Sequence, residues 1–489
     1  MCIICVSTIS IASLVAPTHL TTQAEIQPIS IVEKQLAQEF YSTKKSEYKF
    51  TNRSCTKSEL NKVKGNSTCL KNGKVYRWAT KQDSSTSKKQ IPKGNTPLPP
   101  SAGLLTYSLP TQPSADVELC KIKENNNNRR GMPTQLAAGF PGVTIAQKTG
   151  VVKWALIPLD FPDLPGEANF RTRIDEQMKL TSDWFDTVSE GKFKVEWVVQ
   201  DNWVRLPSPT SQYAIDRSDN LDRVPNGIKL WNDAMRESDK VFNFTGVQTV
   251  NFILPKGHSF INETSQGFPW DQAVKDLVTN EGSVSSYSIP GKLFDQPGRQ
   301  YWSYFAHEFG HAMGIPHVGS SRDPNPFLGL DLMSNQEGES RELSGWLRFV
   351  AGWLNNEKVF CQEISNLNSP EVTLVPLSDS GSGIKMIVIP VSQTKAVVVE
   401  SRRETKFSCV MPSKRNGVLV YTYDATLSHG QDFLKPIAPE GRVIEYSSNC
   451  LVVGYPNPIL YKGQKVTVEG VTVEVIDSLN FDKVKLSRE

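Results

Sequence analysis

The chain has 489 residues, of which 38% are hydrophobic and 21% charged, and its formal net charge is +3. At about 150 residues per domain, this length indicates two to four domains. The 10 Trp and 21 Phe exclude a wholly disordered chain, because that much apolar surface would not stay in water. The absence of any apolar run of about 18 residues excludes a polytopic membrane protein.

The small net charge is the sum of two regions of opposite sign. Between Lys34 and Lys93 the chain has 15 Lys and Arg but only 4 Asp and Glu, which is a net charge of +11. The remaining residues carry a net charge of −8. This asymmetry indicates separate modules with separate roles.

Residues 1–23 are predicted to be a signal peptide. Ile3–Val15 is a mostly apolar run of 13 residues, which suits the core of a signal peptide and is too short to span a membrane. No Lys or Arg precedes the run, although signal peptides normally have one, and a buried strand is the alternative interpretation. We expect a secreted or cell-envelope-associated protein.

The chain has eight cysteines, two of which lie in the predicted signal peptide. The mature chain would keep Cys55, Cys69, Cys120, Cys361, Cys409 and Cys450. Six cysteines suit an oxidising compartment and up to three disulfides. Cys55 and Cys69 are the easiest local pair, and the sequence does not determine the other pairings.

Residues 24–93 are predicted to be a small basic module. Within it, the turn residues Gly65 and Asn66 and the alternation in Val75–Trp78 predict a disulfide-stapled hairpin. Cys55–Trp78 resembles short cysteine-containing segments with a Gly-Lys-x-x-x-Trp pattern that are attached to exported actinobacterial proteins. The module is either a solvated basic face or a binding site for anionic cell-wall polymers.

Residues 94–141 are predicted to be a linker. Gln82–Pro113 is rich in Ser, Lys, Gly and Pro and cannot bury enough apolar area to pack. Glu124–Met132 (ENNNNRRGM) is a second loop signal.

Residues 142–362 are predicted to form one domain in which strand and helix signals alternate. The apolar periodicities give the order β-α-β-α-β, with elements over Val151–Phe161, Ile174–Val188, Phe193–Val199, Asn226–Glu237 and Val247–Leu254. Gly191 is the predicted C-terminal cap of the first helix. This order leads into a further helix that carries the most informative residues.

Residues 363–489 are predicted to form an all-β, sandwich-like domain. Turn residues separate strand-like runs at Lys385–Pro390, Ala396–Glu400, Gly417–Thr422, Lys465–Val468 and Val471–Ile476. The predicted fold class is therefore α+β, with a mixed sheet and an active-site helix, then an all-β domain, and a small stapled module at the N-terminal end.

Three of the six histidines fall within the 11 residues from His307 to His317, in the sequence HEFGHAMGIPH. On a helix, His307 and His311 lie one turn apart and point the same way, so both can reach one zinc ion at about 2.0–2.1 Å. Gly314 supplies the backbone freedom to end the helix, and Pro316 prevents its continuation. His317 can then return as a third ligand.

Glu308 follows the first of these histidines and is rotated by about 100° from it around the helix axis. It is too poorly aimed to be a ligand, but it is well placed to hydrogen-bond a water molecule at the metal. Three protein ligands leave the fourth position open, which is the catalytic arrangement. The full pattern arises by chance in roughly one chain in 10⁵ of this composition, which disfavours a coincidental pair of helical histidines.

HEFGHAMGIPH resembles the zinc-binding consensus of the metzincin clan of metallopeptidases. The resemblance implies a zincin-like catalytic domain with a methionine turn beneath the metal. Leu332–Ser334 is the candidate turn, and Met333 would support the ligands by packing and not by coordination. Ordinary core filling is the alternative role for Met333.

A wider resemblance, to the immune-inhibitor-A-type secreted peptidases, covers most of residues 150–489. The matching segments are Val151–Phe161, Trp184–Lys192, Asp331–Ser334, Leu343–Leu354, Val398–Arg402 and Gly417–Asp424. That family usually has Asp as its third metal ligand, where this chain has His317. Asp323 and Asp331 are the alternative third ligands.

The resemblance and the motif together predict a secreted zinc-dependent endopeptidase that acts on proteins or peptides. Glu308 would be the general base for a water activated by one zinc ion. Some metzincins place a tyrosine two residues after the turn methionine, but this chain has Asn335, so no second oxyanion donor is identified. The alternatives are an envelope-attached binding protein with a non-proteolytic metal domain and a zinc amidase acting on cell-wall cross-links.

The remaining candidate residues carry weaker signals. His258 and His429 are isolated, and we expect them to be surface or hydrogen-bonded residues. Cys120 could cap the zinc in a latent form, but we favour a disulfide partner for it. Calcium would suit an exported enzyme, yet no loop shows a calcium motif. No Gly-rich phosphate loop or aromatic-basic stripe is present, so we expect no nucleic acid partner.

Overall fold

The structure is a computed structural model. It describes residues 48–59, 62–64, 67–72, 75–81, 114–124, 136–143, 146–215, 225–261, 265–267, 278–295, 300–318, 327, 330–336, 338, 340–408, 416–427, 430–439, 444–445 and 455–489. The predictions that lie outside these residues concern the signal peptide, residues 82–113, most of the Glu124–Met132 loop, Asp323, Cys409, His429 and Cys450.

The chain divides into two compact units, Met1–Gly103 and Leu104–Glu489. The first contains an antiparallel sheet with the strand order β1-β4-β3-β2. Numbered in chain order, these strands are β1 (Tyr48–Ser54), β2 (Val63–Lys64), β3 (Ser67–Asn72) and β4 (Val75–Lys81). The predicted disulfide between Cys55 and Cys69 is confirmed. It ties the end of β1 to β3, so the staple links the two strands that flank β4 and not the arms of one hairpin.

The second unit begins with a six-stranded sheet in which most neighbouring strands are parallel. Its strand order is β6-β5-β8-β12-β9, and β7 pairs with the far end of β5. The edge strand β9 runs antiparallel to β12. The strands are β5 (Gly150–Asp160), β6 (Phe193–Val199), β7 (Val204–Arg205), β8 (Val247–Ile253), β9 (Ser265–Gly267) and β12 (Ser286–Ile289), and a separate hairpin joins β10 (Val278–Thr279) to β11 (Gly282–Ser283).

Helices α1 (Arg171–Val188) and α2 (Pro225–Ser238) cover opposite faces of this sheet. Successive residues of a strand point to opposite faces, so Trp154 shares a core with α1 while Ala155 shares another with Trp231 of α2. Because both faces of β5 are buried, its sequence is a nearly continuous apolar run. The predicted β-α-β-α-β order is confirmed, with element ends within three residues.

The end of α1 differs from the prediction that Gly191 caps it. Glu190 takes the first left-handed position, with φ +54°, and Gly191 follows with φ +78°. A non-glycine residue tolerates this conformation here because its carboxylate pairs with Lys358 at 2.7 Å and with Lys385 at 2.6 Å.

The last part of the chain forms two larger sheets that face a common apolar core. Their strand orders are β13-β15-β16-β17-β18 and β14-β23-β22-β21. The strands are β13 (Val359–Cys361), β14 (Glu371–Leu374), β15 (Met386–Pro390), β16 (Lys395–Arg402), β17 (Gly417–Asp424), β18 (Leu434–Pro436), β21 (Lys465–Val468), β22 (Val471–Ser478) and β23 (Asp482–Arg488), with β19 (Ile444–Glu445) and β20 (Tyr455–Pro456) forming a further pair. All five predicted strand runs are present.

The five-stranded sheet is buried on both of its faces. Val397 and Val399 face the core shared with the four-stranded sheet, whereas Val398 and Tyr421 belong to the same core as Trp154. The predicted boundary at residues 362 and 363 therefore lies within one continuous core. The overall class is a mixed α and β protein with several sheets and few helices.

Part of the predicted linker is folded into this second unit. Cys120, Ile122 and Ala138 are buried in the main core. Cys120 forms a disulfide with Cys361, which confirms the prediction that it is a disulfide partner and not a cap on the metal.

Among the described helices, none combines the length and the apolar character needed to cross a bilayer.

Candidate metal centre

Helix α3 (Tyr301–Ala312) carries the first two histidines of the motif and lies against the six-stranded sheet. Its residues are almost all buried, and Phe309 packs on Trp154 with 4.4 Å between ring centroids. The first turn is held by Arg173, which donates to the Tyr301 hydroxyl at 3.0 Å and to Asp295 at 3.1 Å. The helix therefore has a fixed position at both its start and its apolar face.

The helix ends where the sequence predicts. Gly314 has φ +94°, which a residue with a Cβ adopts only with strain. The amide of Ile315 donates to the carbonyl of Gly310 at 2.9 Å, and the amide of Gly314 donates to the carbonyl of His311 at 2.9 Å. This pair of bonds is a Schellman motif, and it turns the chain back towards the helix. Ala137, from the predicted linker, donates to the Gly314 carbonyl at 2.9 Å and holds the turn from outside.

The structure brings all three predicted ligands together. Nε2 of His317 lies 3.0 Å from Nε2 of His307 and 2.9 Å from Nε2 of His311. The three side chains form a group that could hold a metal ion, with His307 and His311 buried and His317 half-buried. Nitrogens bound tetrahedrally to an ion at about 2.0–2.1 Å would be about 3.3 Å apart, only a few tenths of an ångström more.

The hydrogen bonds of the outer ring nitrogens set the tautomers. Nδ1 of His307 lies 2.8 Å from the carbonyl oxygen of Leu332, and Nδ1 of His311 lies 2.7 Å from that of Ile315. A carbonyl only accepts, so each Nδ1 carries a proton and each Nε2 presents a lone pair. A single proton on His317 Nε2 can be given to only one of these two lone pairs. A cation at the point of convergence satisfies all three nitrogens, so the residues fit a metal.

The predicted methionine turn, Asp331–Ser334, lies directly under the helix. Met333 is fully buried, and a Cβ added to Gly310 would lie 2.8 Å from its sulfur. The turn thus packs against the helix residue between the two histidine ligands. It also supplies the Leu332 carbonyl that orients His307, which is a role beyond core filling.

Asp331 does not take the place of His317 as a ligand. One of its carboxylate oxygens accepts from the Met333 amide at 2.8 Å and the other from the Ser344 amide at 2.7 Å. Burial raises the pKa of Asp331 to about 6, against the opposing effects of these amides and of Arg402. Its role is to hold the methionine turn.

Glu308 sits beside the cluster and is half-buried. Burial raises the pKa of its carboxyl group to about 8. A cation held by the neighbouring histidines would oppose this shift and favour the ionised carboxylate, which is the form that accepts a proton. The placement and the environment of Glu308 therefore suit acid–base chemistry.

His258 is buried, so the prediction of a surface position is wrong, and the hydrogen bond of the residue is made by its backbone amide, which donates to the Pro255 carbonyl at 3.2 Å. It is 5% exposed and packs on Phe260 at 5.1 Å between ring centroids. Its Nδ1 has no hydrogen-bond partner among the described residues. Desolvation lowers the pKa of His258 to about 4, so the ring stays neutral in its apolar setting.

Sequence reasoning missed the contacts that orient the ligands. The Leu332 and Ile315 carbonyls leave no signal in the sequence, because any residue provides a carbonyl. Gly310, between the two helical histidines, was a usable signal, since a glycine inside a helix costs free energy and usually marks a close approach.

Comparisons with known proteins add little to this site. No protein-family model and no curated protein matches the chain. A solved structure, wild-type OgpA from Akkermansia muciniphila, is similar at 12% sequence identity and a TM-score of 0.28. The match covers 60% of this chain and 93% of that chain. A TM-score this low supports no conclusion about fold or function.

Proposed function

We propose that this chain is a zinc-dependent endopeptidase of the metzincin type, with a zincin-like catalytic domain followed by a β-sandwich-like domain. The observation that carries the proposal is the convergence of three imidazoles, with Nε2 of His317 about 3 Å from Nε2 of both His307 and His311, beside a half-buried glutamate. The turn at Gly314 and the methionine turn under the helix support it, because each serves the ligand geometry.

Zinc is the metal that best suits this donor set. His307, His311 and His317 would hold it, and three neutral imidazoles with an open position are typical of catalytic zinc. Calcium prefers oxygen ligands and does not suit three nitrogens. When bound, zinc supplies a Lewis acid for the scissile carbonyl and for water.

The protein's own residues then position the proton chemistry. Glu308 is the group that takes a proton from the attacking water and returns it to the leaving amine. The Leu332 and Ile315 carbonyls keep two imidazoles in the tautomer that a ligand needs. The substrates are proteins or peptides.

We also propose that the protein is exported. Two disulfides among the described residues support an oxidising compartment. The basic module would then be positioned to bind anionic cell-wall polymers.

The proposal is tested by the change Glu308→Ala. The variant should keep one zinc ion per chain and lose casein hydrolysis by about 10²–10⁴-fold, because only the base is removed. Zinc content is measured by atomic absorption and hydrolysis by peptide release. Glu176→Ala, at an exposed position of α1, is the matched control and should leave both unchanged.

Three outcomes separate the proposal from its alternatives. Full casein hydrolysis by Glu308→Ala would remove Glu308 from the mechanism. Zinc binding without casein hydrolysis by the unmodified chain would favour the binding protein. Release of wall fragments in place of casein peptides would favour the amidase.

A further inference from the structure

A buried network of charged and polar side chains connects the methionine turn to the strands that follow it in the chain. Its members are Asp331, Glu342, Arg348, Glu400, Arg402 and Tyr421, and none is more than 3% exposed. Burial of this many charged groups costs free energy unless each is paired with good geometry. The pattern of pairing therefore indicates what the network holds in place.

Arg402, the last residue of β16, reaches the start of the methionine turn. Its Nη1 donates to the carbonyl of Leu330 at 3.0 Å and to the hydroxyl of Ser340 at 3.4 Å. Its Nε donates to Glu400, and Nη1 lies 3.6 Å from a carboxylate oxygen of Glu342. One guanidinium thus ties β16 to the chain on both sides of the turn.

Glu400 lies on the same face of β16, two residues earlier, and holds the other end of this segment. One of its carboxylate oxygens accepts from the Gly345 amide at 2.8 Å and from the Tyr421 hydroxyl at 2.8 Å. A Cβ on Gly345 would lie 2.8 Å from that oxygen, so only glycine allows this approach. Gly345 begins helix α4 (Gly345–Val350).

The segment held between Leu330 and Gly345 contacts the metal ligands directly. The Leu332 amide donates to the Glu342 carbonyl at 2.7 Å, and this bond fixes the orientation of the backbone at Leu332. The Leu332 carbonyl accepts from Nδ1 of His307 at 2.8 Å. A shift of the turn would therefore move the group that orients a ligand.

We infer that Arg402, supported by Glu400 and Tyr421, is a positioning residue for the metal centre. It fixes the methionine turn so that the Leu332 carbonyl meets His307. The strands of residues 363–489 are then part of the metal centre and not a detachable accessory domain. This inference rests on the proposed metal centre and is independent of peptide hydrolysis.

The test compares two adjacent arginines in the full chain. Arg402→Met should weaken zinc binding by about 10–100-fold, measured by competition with a chromophoric chelator. Arg403→Met is the matched control, because Arg403 pairs with Asp482 at 2.8 Å on the opposite face of the strand, and it should change the affinity by less than about 3-fold. Arg402→Lys should recover part of the loss. Equal zinc affinities of Arg402→Met and Arg403→Met would overturn the inference.

A gentler pair of variants keeps the test decisive if Arg402→Met fails to fold. Tyr421→Phe removes the hydroxyl bonded to Glu400, whereas Tyr423→Phe removes a hydroxyl that has no hydrogen-bond partner among the described residues. Tyr421→Phe should weaken zinc binding by about 3–10-fold and Tyr423→Phe should not. Nitrogen-15 NMR of the chelator-treated chain should show the His307 Nδ1 proton exchanging faster only in Tyr421→Phe.

The outcomes distinguish this inference from the proposed function. If the chain binds zinc but does not hydrolyse casein, the peptidase function is contradicted. The role of Arg402 still stands in that case, provided that the zinc affinities of the paired variants differ. A chelator-sensitive peptidase with equal affinities in both pairs of variants would contradict only the role of Arg402.

Discussion

Two of the three candidate ligand histidines are oriented by a carbonyl that is distant in sequence or brought back by the turn itself. His307 depends on a carbonyl 25 residues further along the chain, and His311 depends on the carbonyl of Ile315, which the turn at Gly314 brings back. The local spacing of the motif was enough to predict that the three imidazoles converge. It was not enough to predict what fixes their rings, since that depends on the path of a segment with no special residue type.

The close approach of Gly310 and Met333 gives a prediction at the residue scale. Gly310→Ala would place a Cβ 2.8 Å from the Met333 sulfur and 3.0 Å from its terminal methyl group. We expect a loss of about 1–3 kcal/mol in the free energy of unfolding, because the core would be overpacked, and weaker zinc binding as the turn moves. Denaturant unfolding and chelator competition measure the two effects.

The double variant Gly310→Ala with Met333→Ala is the control for this prediction. Removing the methionine side chain frees the space that the new Cβ needs, so the double variant should cost little more than Met333→Ala alone. Strictly additive losses would show that the two residues do not meet.

At the scale of elements, the sequence predicted the strands and helices well and their arrangement less well. The main strands of the six-stranded sheet and the two helices that cover it follow apolar periodicities. These periodicities are local in sequence, so the bounds of the elements could be predicted within a few residues. The packing of residues 114–124 and 136–143 could not, because the polar composition of this region favours a linker, whereas a disulfide and a few buried side chains keep these residues in the core. The left-handed Glu190 was also missed, since two lysines from distant elements stabilise it.

The disulfide between Cys120 and Cys361 carries a prediction at this scale. It joins residues 241 apart, so it removes much of the conformational freedom of the unfolded second unit. The double change Cys120→Ala and Cys361→Ala should lower the free energy of unfolding by about 2–5 kcal/mol, measured by denaturant titration with tryptophan fluorescence.

The matched control for this prediction is the other disulfide. Cys55→Ala with Cys69→Ala alters only the first compact unit, so the unfolding transition of the second unit should keep its midpoint. An unchanged midpoint in the Cys120 and Cys361 variant would mean that residues 114–124 are held by packing alone.

At the scale of the whole molecule, the opposite charges of the two regions correspond to two compact units. The +11 of residues 34–93 belongs to the unit that ends at Gly103, and the candidate metal centre lies in the other. The second unit extends beyond the predicted catalytic domain, and Arg402 and Glu400 of β16 bond to the backbone on either side of the methionine turn, at Leu330 and Gly345. The candidate metal centre and the five-stranded sheet are thus parts of one compact unit.

The zinc dependence of hydrolysis by the purified chain tests the central claim most directly. Metal analysis should find one zinc ion per chain, and casein hydrolysis should stop when a chelator removes the metal and return when zinc is added back. The same measurement on His317→Ala should show weaker zinc binding and little hydrolysis, because the third ligand is lost. Hydrolysis that continues without metal, or a chain that binds no zinc with all three histidines intact, would contradict the account.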